Sequence, residues 1–292
     1  MRRSGAALKW SLVGPTLLLL VAFNVFPLLW NVVLSFTNAE LVGAGSRSVG
    51  GVNYARIFDD PLFATALRRT ALFVFVAVGL ELAIGFVLAL ALKRDFRGKP
   101  IVLTTLLVPM MLSPAVMGLY WSLLLNGNYG LVNQVLDGLG LGQPQWLTDR
   151  DLKFWSILLI DVWMWTPFMM LIALAGLSSI PQSLYEAAAI DRASAWTTFR
   201  RITLPMCAPL LGLAVLLRAT DALKQFDLVM AISGPNDGGT QTLSALLYQV
   251  VFRDGKVGLG SAYAILVLVV VMALATVFTR YVDRLRGAEA AS

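Results

Sequence analysis

Six runs of about 20 or more mostly apolar residues constrain the fold of this chain more than any other feature. A bilayer core about 30 Å thick requires about 20 apolar residues in a helix. We therefore predict membrane spans near 11–36, 68–92, 101–125, 154–179, 205–232 and 259–281. Hydrophobic residues make up 58% of the 292 positions and charged residues only 14%, unlike a soluble domain. The prediction is an all-α polytopic membrane protein in which residues 1–292 form a single transmembrane domain.

The basic residues predict how these spans cross the membrane. Thirteen of them fall into alternate loops: Arg2, Arg3, Lys9, Lys93, Arg94, Arg97, Lys99, Arg192, Arg200, Arg201, Arg280, Arg284 and Arg286. Basic residues concentrate on the cytoplasmic side, so both termini are predicted to be cytoplasmic. The loops 37–67, 126–153 and 233–258 are then predicted to face outward. Because the net charge of +6 is divided into short blocks, no nucleic-acid partner is predicted.

Several kinds of chemistry lack the residues they need. The sequence has no histidine and a single cysteine, Cys207, which excludes histidine acid–base catalysis, Cys/His zinc sites and an intramolecular disulfide. It also has no G-x-x-x-x-G-K-[ST] loop to hold nucleotide phosphates. We expect a chain that is not an enzyme and binds neither a metal nor a cofactor.

A charged segment interrupts the apolar pattern between the fourth and fifth spans. Residues 186–205 read EAAAIDRASAWTTFRRITLP. Apolar side chains at Leu184 and Ile190 give a short predicted helix a partly apolar face, while Glu186, Asp191 and Arg192 keep it in water. Such a helix needs a surface to pack against, which is either another protein or the lipid headgroups.

The order of residues in this segment resembles the EAA loop of the permease subunits of bacterial ABC importers. That pattern runs E-A-A, then D-G-A, a phenylalanine and I-x-L-P. The matching residues are Glu186, Ala187, Ala188, Asp191, Ala193, Phe199, Ile202, Leu204 and Pro205. Three further segments, at 49–73, 108–133 and 161–188, resemble signatures of the carbohydrate-type permeases. The chain is therefore similar to permeases of maltose, trehalose and glycerol-3-phosphate importers of the inner membrane.

The resemblance implies a set of partners. Two cytoplasmic ATPase subunits would bind ATP and magnesium, and a second permease subunit would complete the pore as a heterodimer. An extracytoplasmic solute-binding protein would deliver a carbohydrate. Its docking surface is expected on the outer loops around Asn53, Tyr54, Asn128, Tyr129 and Asp237.

The resemblance also assigns roles within the cytoplasmic coupling loop 180–204. The residues expected to couple to the ATPase are Leu184, Glu186, Ala187, Ala188, Ile190, Asp191 and Arg192. Glu186 would anchor the helix electrostatically, while Leu184 and Ile190 would fill a cleft on the ATPase. Arg192 departs from the family pattern, which has glycine there. We expect the arginine either to force a different turn or to extend the helix.

Ionisable and aromatic residues inside the spans are candidates for a substrate pathway, because charges in a bilayer are costly. The candidates are Asp161, Trp163, Trp165, Arg218, Asp221, Lys224 and Gln225. Alternatively, these polar groups hold helices or subunits together. Glu81 and Asp161 are each expected to face the helix bundle or to pair with a base such as Arg218.

Two rival functions and one variant remain at this point. A secondary transporter driven by an ion gradient would use the buried carboxylates as ion sites but leaves the 180–205 segment unexplained. A membrane-embedded enzyme would need a clustered nucleophile or metal site. A permease for an amino acid, phosphate or peptide would share the EAA loop but not the other segments.

Overall fold

The computed structural model describes residues 2–43 and 45–290, with the backbone alone for residues 2–9, 278 and 281–290. Some basic residues used in the topology prediction lie outside the described side chains: Arg2, Arg3, Lys9, Arg284 and Arg286. The described residues form helices and one isolated antiparallel bridge, Thr37 to Ser48. The all-α prediction is confirmed.

The helices follow one another with short connections. Their bounds are α1 Arg2–Leu20, α2 Phe26–Ser35, α3 Val52–Asp59, α4 Pro61–Leu92, α5 Lys99–Leu107, α6 Pro114–Leu124, α7 Leu131–Gly138, α8 Arg150–Ser178, α9 Gln182–Ile190, α10 Ala195–Thr198, α11 Leu204–Ala222, α12 Asp227–Ile232, α13 Leu243–Tyr248 and α14 Val257–Ala290. Three π-helical segments, Val21–Val25, Phe199–Thr203 and Gln249–Arg253, continue neighbouring helices.

Five stretches of the described chain are long and apolar enough to cross a membrane. They are Trp10–Ser35, Pro61–Leu92, Arg150–Ser178, Ala195–Ala222 and Val257–Val277. Each overlaps one of the predicted spans, although Ala195–Ala222 is displaced toward the N-terminus relative to the predicted 205–232. The remaining predicted span, 101–125, has a different structure.

The third predicted span is a broken helix. Helix α5 ends at Leu107, a 3-10 turn covers Pro109–Met111, and α6 starts at Pro114. Proline lacks a backbone N–H and disfavours helical dihedrals in the residue before it. Ser113, which precedes Pro114, is accordingly extended, with φ of −66° and ψ of 130°. The two prolines therefore divide one apolar run into two short helices.

The prediction of one continuous helix over 205–232 is wrong. Helix α11 ends at Ala222, and α12 starts at Asp227 after a turn centred on Gln225. The backbone carbonyl of Gln225 accepts a hydrogen bond from Thr242 Oγ1 at 2.9 Å, and its side chain accepts one from the N–H of Phe226 at 3.1 Å. A helix can break within a membrane where other protein groups satisfy the freed backbone.

Contacts divide the chain into two compact units, residues 1–64 with 247–270 and residues 65–246 with 271–292. In the first unit, buried Asn53 donates hydrogen bonds to the carbonyls of Ser35 at 2.9 Å and Thr37 at 2.8 Å. Tyr263 donates to Asp60 at 3.1 Å. These bonds fasten the loop after α2 and the start of α4 to their neighbours within this unit.

The second unit is built around α8. Its side chains at Ile157, Leu158 and Met164 are buried with Phe73 of α4 and Leu228 of α12. Close helix approach is possible because Gly85 of α4 has no side chain: a Cβ there would lie 2.8 Å from both the Met169 Cβ and the Met170 backbone nitrogen. This core positions the polar side chains that α4, α8 and α11 contribute.

Candidate coupling segment and intramembrane charge cluster

One face of helix α9 packs against other residues of its own unit. Tyr185 forms a 3.1 Å hydrogen bond with Thr203 through their hydroxyl groups, and the Lys93 ammonium lies 3.9 Å from the centre of the Tyr185 ring. Ala188, three residues after Tyr185 and so on the same face, is buried. These contacts hold α9 against the end of α4 and the segment that leads into α11.

The opposite face of α9 is exposed, and it carries most of the residues expected to couple to the ATPase. Glu186, Ala187 and Asp191 are exposed, Leu184 is 37% exposed, and Ile190 is 82% exposed. Ala188 is the exception, because it packs inward. The exposed side chain of Ile190 leaves apolar surface available to a partner protein.

The chain reverses sharply after α9 through a left-handed residue, Arg192, whose φ is 52°. The Arg192 N–H donates to the Ala189 carbonyl at 3.1 Å, and the Ala193 N–H donates to the Ala188 carbonyl at 2.9 Å. This pair of bonds is the Schellman motif, in which the left-handed position is usually glycine.

The expectation that Arg192 forces a different turn or extends the helix is therefore wrong. Helix α9 ends at Ile190, and Arg192 adopts the conformation for which glycine is normally required. The left-handed conformation costs a residue with a Cβ roughly 1–2 kcal/mol. The two hydrogen bonds of the Schellman motif offset part of that cost.

A second group of polar residues lies where α4, α8 and α11 meet. Arg218 of α11 donates from Nε and Nη2 to the two carboxylate oxygens of Glu81, at 2.9 and 3.0 Å. Both side chains are almost completely buried, with 2% of Arg218 and none of Glu81 exposed. This two-pronged geometry is the strongest arrangement available to an arginine and a carboxylate.

The same guanidinium also donates hydrogen bonds to two aspartates. Its Nη2 donates to Asp161 of α8, and its Nη1 donates to Asp221, one turn along α11, at 3.3 Å. Gln225 completes the cluster by donating to the other oxygen of Asp161 at 2.8 Å. The Trp165 ring lies over the guanidinium, with its centre 4.9 Å from the Arg218 Cζ.

This cluster confirms that Glu81 and Asp161 pair with Arg218. Buried charges persist when they are paired and hydrogen-bonded, and both carboxylates meet that condition. They are the carboxylates that an ion-driven transporter would use as ion sites. Because the guanidinium already engages both, these two carboxylates are not free to bind an ion.

A cavity of about 130 Å³ opens beside the cluster. Six of the seven predicted pathway residues line it: Asp161, Trp165, Arg218, Asp221, Lys224 and Gln225. Asp221 and Lys224 are exposed, whereas Arg218 and Asp161 contribute buried surfaces. The sequence prediction therefore groups residues that do lie together, although α11 ends among them.

Trp163 lies apart from the other six. It is 42% exposed and packs edge-to-face on Trp121, with ring centres 5.5 Å apart. Residues 163 and 165 are about 200° apart around a helix, so the two tryptophans point to different sides of α8. The sequence alone had made both tryptophans candidates for the same substrate pathway.

The cavity wall also includes three residues that were not predicted as pathway residues, namely Pro114, Phe226 and Asp227. Pro114 begins α6, and the other two follow the break in α11. The available signal was the density of polar residues after Asp221, which is unusual in a continuous membrane helix.

Among the side chains that the structure describes, no three from His, Cys, Asp or Glu converge in a way that could hold a metal ion. Arginine and lysine accompany the acidic residues of the cavity, and neither is a metal ligand.

The fold is that of the membrane subunits of ABC importers. The chain is similar to one from a bacterial importer of the acidic polysaccharide alginate, with a TM-score of 0.85, 20% identity and 96% of each chain covered. A methionine ABC transporter chain is less similar, with a TM-score of 0.55 and 16% identity over 77% of this chain and 96% of that one.

Residues 81–287 match the family described as the binding-protein-dependent transport system inner membrane component, and the chain belongs to that family. It is 35% identical over 275 residues to the trehalose/maltose transport system permease protein MalF of Thermococcus litoralis, covering 94% of this chain and 93% of the relative. It is 31% identical over 280 residues to the trehalose transport system permease protein SugA of Mycobacterium tuberculosis, covering 96% and 90%. The chain is thus a multi-pass inner-membrane transport subunit.

Proposed function

We propose that this chain is one of two permease subunits of an ATP-driven importer that takes a sugar from an extracytoplasmic binding protein. Family membership carries the proposal for binding-protein-dependent import. The names of the relatives favour a carbohydrate, since two of the most similar transport trehalose or maltose. Trehalose and maltose are accordingly the first substrates to test.

Coupling to the ATPase is assigned to the exposed face of α9. Glu186 would pair with a basic group of an ATPase subunit, and Leu184 and Ile190 would enter an apolar cleft beside it. ATP and magnesium would be bound by the ATPase subunits, since this sequence lacks a phosphate-binding loop. The role of this chain is then mechanical, without catalysis of its own.

The orientation of the chain in the membrane follows from the proposed contact between α9 and the ATPase. If α9 meets a cytoplasmic ATPase, the basic residues near it, Arg200 and Arg201, lie on the cytoplasmic side, as the charge distribution predicts. Both chain termini are then cytoplasmic, and the loops 126–153 and 233–242 face outward. The outer loops would receive the binding protein.

The cavity beside Arg218 is proposed as part of the substrate pathway. Asp221 and Lys224 are exposed there and offer an acceptor and a donor to sugar hydroxyl groups. Trp165 provides an aromatic face, while Arg218, Asp161 and Gln225 fix the wall behind these groups. A second permease subunit, different in sequence, would close the pathway from the other side.

Uptake by the reconstituted importer tests the proposal. The chain is purified with its partner permease, ATPase and binding protein from the same organism and placed in liposomes containing ATP. We expect accumulation of labelled trehalose or maltose only when both ATP and the binding protein are present. Uptake that continues without ATP and collapses on addition of an ionophore would contradict the proposal and favour an ion-driven transporter.

A further inference from the structure

A second polar cavity, of about 370 Å³, lies at the beginning of α8. Two arginines line it, Arg69 of α4 and Arg150 of α8, together with Asp151, Trp155 and Gly239. Trp155 is 44% exposed, so part of the indole faces outward. The cavity lies in part on loops proposed to receive the binding protein, but none of its side chains has been assigned a role.

The two arginines lack a carboxylate partner. Among the residues that the structure describes, neither guanidinium forms an ion pair with a carboxylate. Arg150 lies close enough to repel Arg69, and the nearby charge of Asp237 offsets part of that repulsion. Arg150 donates from Nη2 to the carbonyl of Gly238 at 3.0 Å, a neutral acceptor. Asp151 supplies one negative charge to the wall, so the cavity has a net positive charge.

The nearby carboxylate of Asp237 is already engaged elsewhere. It accepts a hydrogen bond from Lys153 Nζ at 2.6 Å and another from the N–H of Gly239 at 2.7 Å. Burial raises the pKa of Asp237, but these hydrogen bonds outweigh burial and hold its pKa below the usual value. Asp237 is therefore ionised at neutral pH and paired with Lys153.

That ion pair positions Arg150 for a partner. A Cβ on Gly239 would lie 2.8 Å from the Arg150 Cγ, so the loop after Asp237 rests directly against the arginine side chain. The Gly238 carbonyl fixes one end of the guanidinium. A charged group held in place before binding loses less conformational entropy when its partner arrives.

The cavity and the coupling segment lie at opposite ends of α8. This helix has 29 residues, and at about 1.5 Å per residue it is roughly 43 Å long. That length exceeds a bilayer core of about 30 Å. Since α9 follows the far end of α8, a cytoplasmic α9 places the Arg69–Arg150 cavity on the external side.

We propose that this cavity receives an acidic side chain of the extracytoplasmic binding protein when that protein docks. The inference rests on the proposed function, because it requires such a partner. Arginine and tryptophan are the residue types most enriched among energetically dominant interface positions, and here they line the same cavity. Two guanidinium groups that form no ion pair complement a carboxylate in charge.

An anionic solute fits the observations less well. The cavity beside Arg218 is lined by three carboxylates, Asp161, Asp221 and Asp227, and by two cations, Arg218 and Lys224. A negatively charged solute attracted by Arg69 and Arg150 would next meet this acidic excess. The acidic group therefore belongs to the docking protein.

The affinity of the reconstituted importer for its binding protein tests the proposal. The Arg69→Gln/Arg150→Gln pair is compared with Arg69→Lys/Arg150→Lys and with Arg68→Gln. Arg68 is an exposed neighbour of Arg69 that does not line the cavity. We expect the glutamine pair to weaken docking about tenfold or more, and the other two variants to stay within about threefold of wild type. The wild-type affinity should fall as salt is raised, because salt screens exposed charges.

The possible outcomes separate the docking site from the proposed function. Equal affinities for the glutamine pair and Arg68→Gln would overturn the docking site. If the glutamine pair fails to assemble, a wild-type affinity that does not change with salt overturns it equally. Failure of the wild-type importer to take up sugar with its binding protein would instead contradict the proposed function. An effect of the glutamine pair on free-sugar binding, with docking unchanged, would assign the cavity to the solute.

Discussion

Charged residues within a membrane protein can hold helices together or contact solute, and Arg218 has the first of these roles. Its guanidinium is engaged by Glu81 and Asp161, both buried, so this part of the cluster holds three helices together. Lys224 lines the same cavity but is exposed and forms no ion pair among the described residues. Structural support therefore lies with Arg218, whereas the proposed contact with solute is assigned to its neighbour Lys224.

Replacing Arg218 with leucine should destabilise the protein severely. Both carboxylates would be left buried without their partner, and removing one member of a buried charge network typically costs about 3–5 kcal/mol. The loss can be measured as the decrease in the free energy of unfolding in detergent. Lys224→Gln is the matched control, with an expected change within about 0.5 kcal/mol but a lower uptake rate. An Arg218→Leu protein as stable as this control would show that the cluster does not support the fold.

Arg192 should tolerate glycine but not a β-branched residue. Since Arg192 already has the left-handed conformation, Arg192→Gly preserves the turn, and we expect binding-protein-stimulated ATPase activity within about twofold of wild type. Valine is strained at positive φ by about 1–3 kcal/mol, so Arg192→Val should lower that activity about fivefold or more. A loss with glycine as large as that with valine would instead assign the arginine side chain a direct contact with the ATPase.

Among the elements, α4 and α8 depend on close packing at Gly85. Adding a methyl group there would bring it to 2.8 Å from both Met169 and Met170, including a backbone atom that cannot easily move. Gly79 lies on the same helix with nothing within 4 Å of an added Cβ, and it is exposed.

We expect Gly85→Ala to lower the free energy of unfolding by about 1–3 kcal/mol, as overpacking usually does. Gly79→Ala should be neutral or slightly stabilising, because alanine favours a helix over glycine. Thermal unfolding of the two purified variants in the same detergent compares them directly. Equal melting temperatures would mean that α4 and α8 do not pack as closely as described.

Helix positions were largely predictable from the sequence, because a bilayer requires long apolar runs and the chain shows six of them. Pro109 and Pro114 signalled the interruption of the third run, although not its form. The break at Gln225 was not foreseen, since neither proline nor glycine lies between Ala222 and Asp227. Its cause is tertiary: hydrogen bonds involving Asp161 and Thr242, which lie far away in the sequence.

The candidate sites show the same limit. Sequence reasoning could group the charged residues of the fifth span, but the pairing of Arg218 with Glu81 joins positions 137 residues apart. Asn53, one of the residues around which the docking surface is expected, is itself buried and hydrogen-bonds the loop after α2, which the sequence alone did not reveal. The left-handed turn at Arg192 was also missed, since the residue type argues against it.

At the scale of the whole molecule, α9 is the proposed contact through which ATP hydrolysis drives transport. The chain has one native cysteine, Cys207, which is buried, so a single new cysteine can be labelled selectively once Cys207 is replaced by alanine. Ile190 is 82% exposed on α9, and Leu139 is 69% exposed in a loop predicted to face outward. Ile190 is predicted to lie on the cytoplasmic side of the membrane and Leu139 on the external side, so the two exposed positions form a matched pair.

Photo-crosslinking from these two positions tests the central claim most directly. A benzophenone maleimide is attached to Ile190→Cys or Leu139→Cys in the assembled importer, which is illuminated in membranes with and without ATP. We predict a crosslink from position 190 to the ATPase subunit, with a yield that changes on ATP binding, and none from position 139. An importer that transports sugar yet crosslinks its ATPase from position 139, or never from position 190, would contradict it.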